Sequence, residues 1–86
     1  MYMGKPFIDL DLHGLRRDEA MREIDRALDE ADYTTYQIRI VHGYHRGDSL
    51  SRMIREEYRY HPKIRPIIPG DNPGITVLVI RELTGG

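Results

Sequence analysis

The order β-α-β-α-β-β predicts a two-layer α/β sandwich, a mixed four-stranded sheet with both helices packed on one face. Three observations carry that expectation. Two short runs alternate with period two and have one polar face, two longer segments carry apolar residues at helical spacing, and the last run is apolar on both faces. A three-layer sheet covered on both sides would want apolar residues throughout the first two strands, and Asp9, Asp11, Gln37 and Arg39 contradict it.

Phe7-Ile8-Asp9-Leu10-Asp11-Leu12 sets Ile8, Leu10 and Leu12 on one side of a strand and Asp9 and Asp11 on the other. From about residue 17 to 32, Ala20, Ile24, Ala27, Leu28 and Ala31 form the apolar stripe of an amphipathic helix. Asp18 and Glu19 stand in its first turn, where the helix dipole favours anions, but no Ser, Thr or Asn stands at the N-cap. Tyr36 to His42 alternates again, with Ile38 and Ile40 inward. Two strands joined through a helix should be parallel, so both end on the same edge of the sheet. Asp48 is a fair N-cap for a helix from about 49 to 60 that packs Leu50, Met53, Ile54 and Tyr58. Arg52, Arg55 and Arg59 lie about 140–200° round the wheel from Leu50. Pro62 stops that helix. Lys63 to Ile68 reads as an edge strand because it contains Pro66, and Ile75 to Ile80, apolar apart from Thr76, as an interior strand.

With 86 residues there is room for one domain, residues 1–86 with a core at about 7–82. An apolar share of 40% against 31% charged residues is the balance of a globular domain and excludes a disordered tail protein. The absence of cysteine removes disulfides and thiolate metal sites. No stretch reaches the ~18 apolar residues of a membrane span, and Gly4, Lys5 and Pro6 interrupt any secretory core, so no membrane partner and a cytoplasmic home are expected. The net charge of −1 hides a gradient: residues 1–38 carry −4, residues 39–65 carry +4 and residues 66–86 carry −1. A phosphate-facing surface therefore belongs to the middle third.

His13-Gly14 follows the first strand and His42-Gly43 closes the second, so two imidazoles occupy equivalent strand ends on the edge where open α/β folds bind ligands. Each glycine lets the chain turn sharply. The loop Tyr44, His45, Arg46, Gly47 leads to a helix N-terminus, whose amides attract phosphate oxygens. Two imidazoles flanking an RNA phosphodiester could deprotonate a ribose hydroxyl and protonate the leaving oxygen without a metal, with Arg46 or loop amides stabilising the developing charge. Asp11 either orients an imidazole or faces Arg39 across neighbouring strands as a solvated ion pair. Asp9, Asp11, His13 and His42 lack the spacing of a metal cage, so neither metal nor cofactor is expected. Among the tyrosines only Tyr44, in the loop, reads as functional. Tyr33, Tyr36, Tyr58 and Tyr60 read as partly buried packing.

Leu10-Asp11-Leu12-His13-Gly14, a helix with Glu19-Ala20, Ile40-Val41-His42-Gly43 before a glycine-containing loop, and Asn72-Pro73-Gly74-Ile75-Thr76-Val77 together resemble the Smr (small MutS-related) domain over residues 7–82. That resemblance implies a fold like the C-terminal domain of translation initiation factor three. It also implies nucleic-acid binding, with DNA-nicking or RNA-cleaving endonuclease activity in several members and roles in recombination control or stalled-ribosome processing. The family's first-motif Asp and His fall on Asp11 and His13, and its second-motif His-Gly on His42 and Gly43. The usual HGKGTG loop is His42-Gly43-Tyr44-His45-Arg46-Gly47 here, similar to a stand-alone HGYH variant.

The expected site therefore places Asp11, His13, His42 and His45 around a phosphate, with Gly43, Tyr44, Arg46, Gly47, Arg52, Arg55 and Arg59 holding the backbone of DNA or RNA. A non-catalytic RNA- or ribosome-binding module is the alternative. A protein-interaction domain would need an exposed apolar patch in place of the basic one.

Overall fold

Strand β1 (Phe7–Asp11) lies parallel to strand β2 (Gln37–Val41), with Ile8 opposite Ile38 and Leu10 opposite Ile40. Helix α1 (Arg17–Glu30) joins them. Helix α2 (Ser49–Tyr58) leads to strand β3 (Ile64–Pro69), which returns antiparallel into strand β4 (Ile75–Ile80). Strand β4 inserts beside β2, so the sheet order is β1-β2-β4-β3, mixed as expected, with β4 interior and β3 an edge. These elements come from a computed structural model that describes residues 6–43 and 49–80.

Alternation decides which face is covered. Ile38, Ile40, Leu78 and Ile80 of the sheet share one buried cluster with Ala20, Ile24, Ala27 and Leu28 of α1 and Met53, Ile54 and Tyr58 of α2. Both helices therefore cover the same face. Opposite it, Asp9, Arg39, Val77 and Ile68 stand in register across the four strands. In β4, Ile75 and Val77 of this second face are also buried, at 6% exposure each, as an interior strand flanked by neighbours allows.

Element ends move by a residue or two from the sequence expectation, for local reasons. Helix α1 stops at Glu30, with Ala31 as C-cap. Helix α2 stops at Tyr58, whose carbonyl accepts the amide of His61 just before Pro62. Pro66 falls where the β3–β4 register shifts between Ile64 and Ile67, so the missing amide costs no ladder bond. The expected Asp48 cap of α2 lies outside the described residues.

Helix α1 lacks a Ser or Asp cap, and Glu19 compensates by accepting the Arg16 amide at 2.9 Å. At the other end no basic residue stands in the last turn, and the cation comes from the edge of β3. Lys63 Nζ donates to the carbonyls of Leu28 at 2.6 Å and Ala31 at 3.1 Å. Polar contacts tie the helices to each other: Arg17 pairs with Glu57 at 3.1 Å, and the Tyr58 hydroxyl donates to Asp25 Oδ1 at 2.7 Å and lies 3.1 Å from the Met21 carbonyl. Burial, and then the bond to Asp25, push the Tyr58 phenol above its ordinary range, so it stays a donor at any working pH.

Leu78 is fully buried, so Leu78→Ala should lose about 2–5 kcal/mol in urea unfolding. Tyr58→Phe keeps the ring and loses the hydroxyl's contacts with Asp25 and the Met21 carbonyl, an effect of about 1 kcal/mol in the same measurement.

Candidate nucleic-acid interface

At the tip of β1, residues two apart project to one side, and Asp11 and His13 meet there. Asp11 Oδ1 accepts from His13 Nδ1 at 2.5 Å and lies 3.3 Å from the His13 amide. Leu12, between them, turns inward and is 2% exposed. The carboxylate fixes the imidazole with its Nδ1 proton inward and directs Nε2 outward on a side chain that is 70% exposed. Hydrogen bonding from the His13 ring, then from its amide, holds the Asp11 carboxyl below the usual range. Of the two expected roles for Asp11, the structure shows the orienting contact. Arg39 lies opposite Asp9, with ion pairs to Asp9 at 3.7 Å and Asp71 at 3.9 Å. The register accounts for this, since Asp11 pairs with Val41.

His42 sits at the matching end of β2 in a different environment. It continues the inward series of Ile38 and Ile40 and is 7% exposed. Its Nδ1 donates to the Gly43 carbonyl at 2.8 Å, and its Nε2 lies 2.8 Å from Thr76 Oγ1. Both ring nitrogens are thus engaged inside the protein. With Nδ1 carrying the proton, the neutral ring accepts the Thr76 hydroxyl proton at Nε2. Gly14 and Gly43 adopt φ of +80° and +78°, the left-handed turns expected after each histidine. At Gly43 the tips of β1 and β2 close up, since a Cβ there would lie 3.5 Å from the His13 Cβ.

Two residues that sequence reasoning did not assign to the site complete it. The Gly74 carbonyl accepts the amides of His42 at 2.9 Å and Gly43 at 3.1 Å, and Thr76 anchors the imidazole. Thr76 left a signal, being the one polar residue in an otherwise apolar strand. Gly74 stood only in the Asn72–Val77 run of the family resemblance, with no role legible there because its contribution is a backbone carbonyl.

Of the remaining expected residues, Arg52 and Arg55 are exposed on α2, and Arg59, expected on the helix, is exposed in the turn that follows it. Tyr44, His45, Arg46 and Gly47 lie outside the described residues. Tyr58 is buried as expected, but Tyr33, Tyr36 and Tyr60 are 58%, 63% and 86% exposed, because each stands in a turn or at an element boundary where no second layer covers it. Arg65, on β3, joins Arg55 and Arg59 along one groove. Among the described residues no group of three or more His, Asp or Glu side chains is arranged to hold a metal ion. No described helix is long and apolar enough to cross a membrane.

Comparison with known proteins places this geometry. The Smr domain family model matches residues 10–73, which include the Asp11–His13 and His42–Gly43 tips. The chain is 34% identical over 77 residues to a protein named endonuclease MutS2 from Staphylococcus epidermidis, covering 87% of this chain and 10% of that protein. It is 34% identical over 79 residues to the protein of that name from Staphylococcus saprophyticus, covering 86% and 10%. The chain thus spans about a tenth of the length of these relatives. The solved Smr domain of Thermus thermophilus MutS2 superposes with a TM-score of 0.76 at 31% identity, covering 86% of this chain and 98% of that domain. The family model covers most of the chain and the fold matches the solved domain, so the chain belongs to the Smr domain family.

Proposed function

We propose that this Smr domain binds nucleic acid and presents the Asp11–His13 pair to a phosphodiester as a nuclease. The observation that carries the reading is an exposed imidazole whose far nitrogen is held in place by a carboxylate at a strand tip. On RNA, His13 Nε2 takes the proton of a ribose 2′-hydroxyl, and that oxygen attacks the adjacent phosphorus. The P–O5′ bond breaks, and the departing oxygen takes a proton from solvent or from His45. Asp11 stabilises the imidazolium formed. His42 acts by shape, since its ring and the positive φ of Gly43 hold the β2 tip against His13. The name endonuclease carried by the relatives supports the reading at the level of reaction class.

One observation favours a second reading, a binding module without turnover on RNA or the ribosome. His42, the expected second proton carrier, has both ring nitrogens engaged within the fold. Cleavage of end-labelled structured RNA and of supercoiled DNA separates the two. Under the nuclease reading, His13→Ala lowers the cleavage rate by about 10²–10⁴-fold while affinity for substrate stays within about threefold. Salt-sensitive binding by the wild-type chain with no product on either substrate supports the module instead.

The pair also has a pH signature. A carboxyl held low in the folded state contributes above its ordinary range and loses that contribution only as pH falls through the lowered value. In an NMR titration the Asp11 carboxyl should have its midpoint below that of a free aspartate and move up toward the ordinary value in His13→Ala. An unchanged midpoint in the variant would remove the pair from the mechanism.

A further inference from the structure

Between the outer side of α2 and the edge strand β3 runs a groove of about 430 Å³, lined by Arg55, Glu56, Arg59, Arg65, Pro66 and Ile67. Three guanidinium groups face one carboxylate there, and arginine stays charged at any working pH. Elsewhere on the described surface Arg17, Arg26 and Arg39 each have a carboxylate within ion-pair distance, at 3.1, 3.8 and 3.7 Å. Arg55, Arg59 and Arg65 have none among the described residues. Like charges gathered in a concave site repel one another and raise the local concentration of an anionic ligand.

Beside the groove stands Tyr60, 86% exposed, with the Arg59 guanidinium 5.6 Å from its ring centre. A large exposed ring next to unpaired arginines is the pairing that holds single-stranded nucleic acid, the ring stacking a base while the cations follow the phosphates. An extended peptide fits this edge poorly. The β3 register is irregular between Ile64 and Ile67, and Pro66 has no amide to offer an added strand. A groove of this volume suits one sugar-phosphate unit and its neighbours better than a duplex.

The groove is distinct from the His13 site. Strands β1 and β3 are opposite edges of the sheet, and both run in the same sense, so Arg65 near the start of β3 lies at the other end from the β1 tip. Strand spacing and rise put the two about 25 Å apart. Arg52 and Arg55 on α2 and Arg59 just after it rise about 10 Å along that side.

Resting on the nucleic-acid reading above, we infer that the α2–β3 groove is a second contact site, which holds a single-stranded segment flanking the phosphodiester at His13. Arg55, Arg59 and Arg65 bind its phosphates, and Tyr60 stacks one base.

Fluorescence anisotropy with labelled single-stranded RNA and DNA, and with a blunt duplex, tests this on the full chain. The variants are Arg59→Gln/Arg65→Gln, Tyr60→Ala, and a control pair on α1, Arg22→Gln/Arg26→Gln, each checked for an unchanged melting temperature. The groove pair should lose at least about tenfold in single-strand affinity and lower the salt slope by about 1.4, at 0.7 per phosphate contact. Tyr60→Ala should lose about tenfold with the slope unchanged. The control pair and duplex binding should move by less than about threefold. Equal losses in the groove and control pairs overturn the groove while leaving the nucleic-acid reading intact, as does competition by a polyglutamate peptide matching that by an oligonucleotide. A wild-type chain that binds none of the probes overturns both.

Discussion

One backbone carbonyl organises the end of the sheet where the site lies. Gly74 C=O accepts both the His42 and the Gly43 amides, so the start of β4 holds the finish of β2. Next to it in the ladder, Val41 pairs with Ile75 on one side and with Asp11 on the other. The three strands are therefore fixed relative to one another at the level of the site. The Thr76 hydroxyl then reaches the His42 ring from the same strand. A buried imidazole without those partners would be costly, since each unpaired polar atom would lose its hydration for nothing. Satisfied, it holds the end of β2 beside β4, and Gly43 lies close to His13, whose Cβ would be 3.5 Å from a Cβ added there.

The helices are placed by a different kind of contact. Their apolar stripes bring them to one face of the sheet, but apolar packing is not directional. Orientation comes from the polar bonds at the margin: Tyr58 to Asp25, Arg17 to Glu57, and Lys63 to the carbonyls at the end of α1. These bonds also distribute charge. Helix α1 carries an acidic surface, and its carboxylates engage some of the available cations. Arg55, Arg59 and Arg65 gather around the single carboxylate of Glu56, and the charge gradient along the chain becomes a basic side of the molecule.

Much of the fold was legible because alternation and helical spacing are local signals that the tertiary structure does not override here. Asp9 and Asp11 marked the wet face of β1, Pro66 marked an edge, and the doubly apolar Ile75–Ile80 run marked an interior strand. Legibility ended where a partner comes from far along the chain. Nothing near Lys63 indicates that its ammonium caps a helix ending at Glu30, and nothing near Arg39 indicates whether Asp9 or Asp11 faces it. Register decides the second question, and register depends on the core residues rather than on the charges themselves. The exposure of Tyr60 was equally out of reach, because it depends on the helix ending at Tyr58, two residues earlier than the expected end.

The same parity argument explains why two histidine-glycine tips that look equivalent in sequence are not equivalent in space. His13 follows Asp9 and Asp11 on the polar side of β1, so its ring emerges into solvent with a carboxylate already beneath it. His42 follows Ile38 and Ile40 on the covered side of β2, so its ring enters the protein and takes its partners there. In the parallel pairing Leu12 comes opposite His42, and the two strands end one residue out of phase with respect to their histidines. A single-residue offset between neighbouring strands thus gives the two motifs opposite environments. One imidazole stays exposed beside its carboxylate, and the other has both ring nitrogens bonded inside the fold.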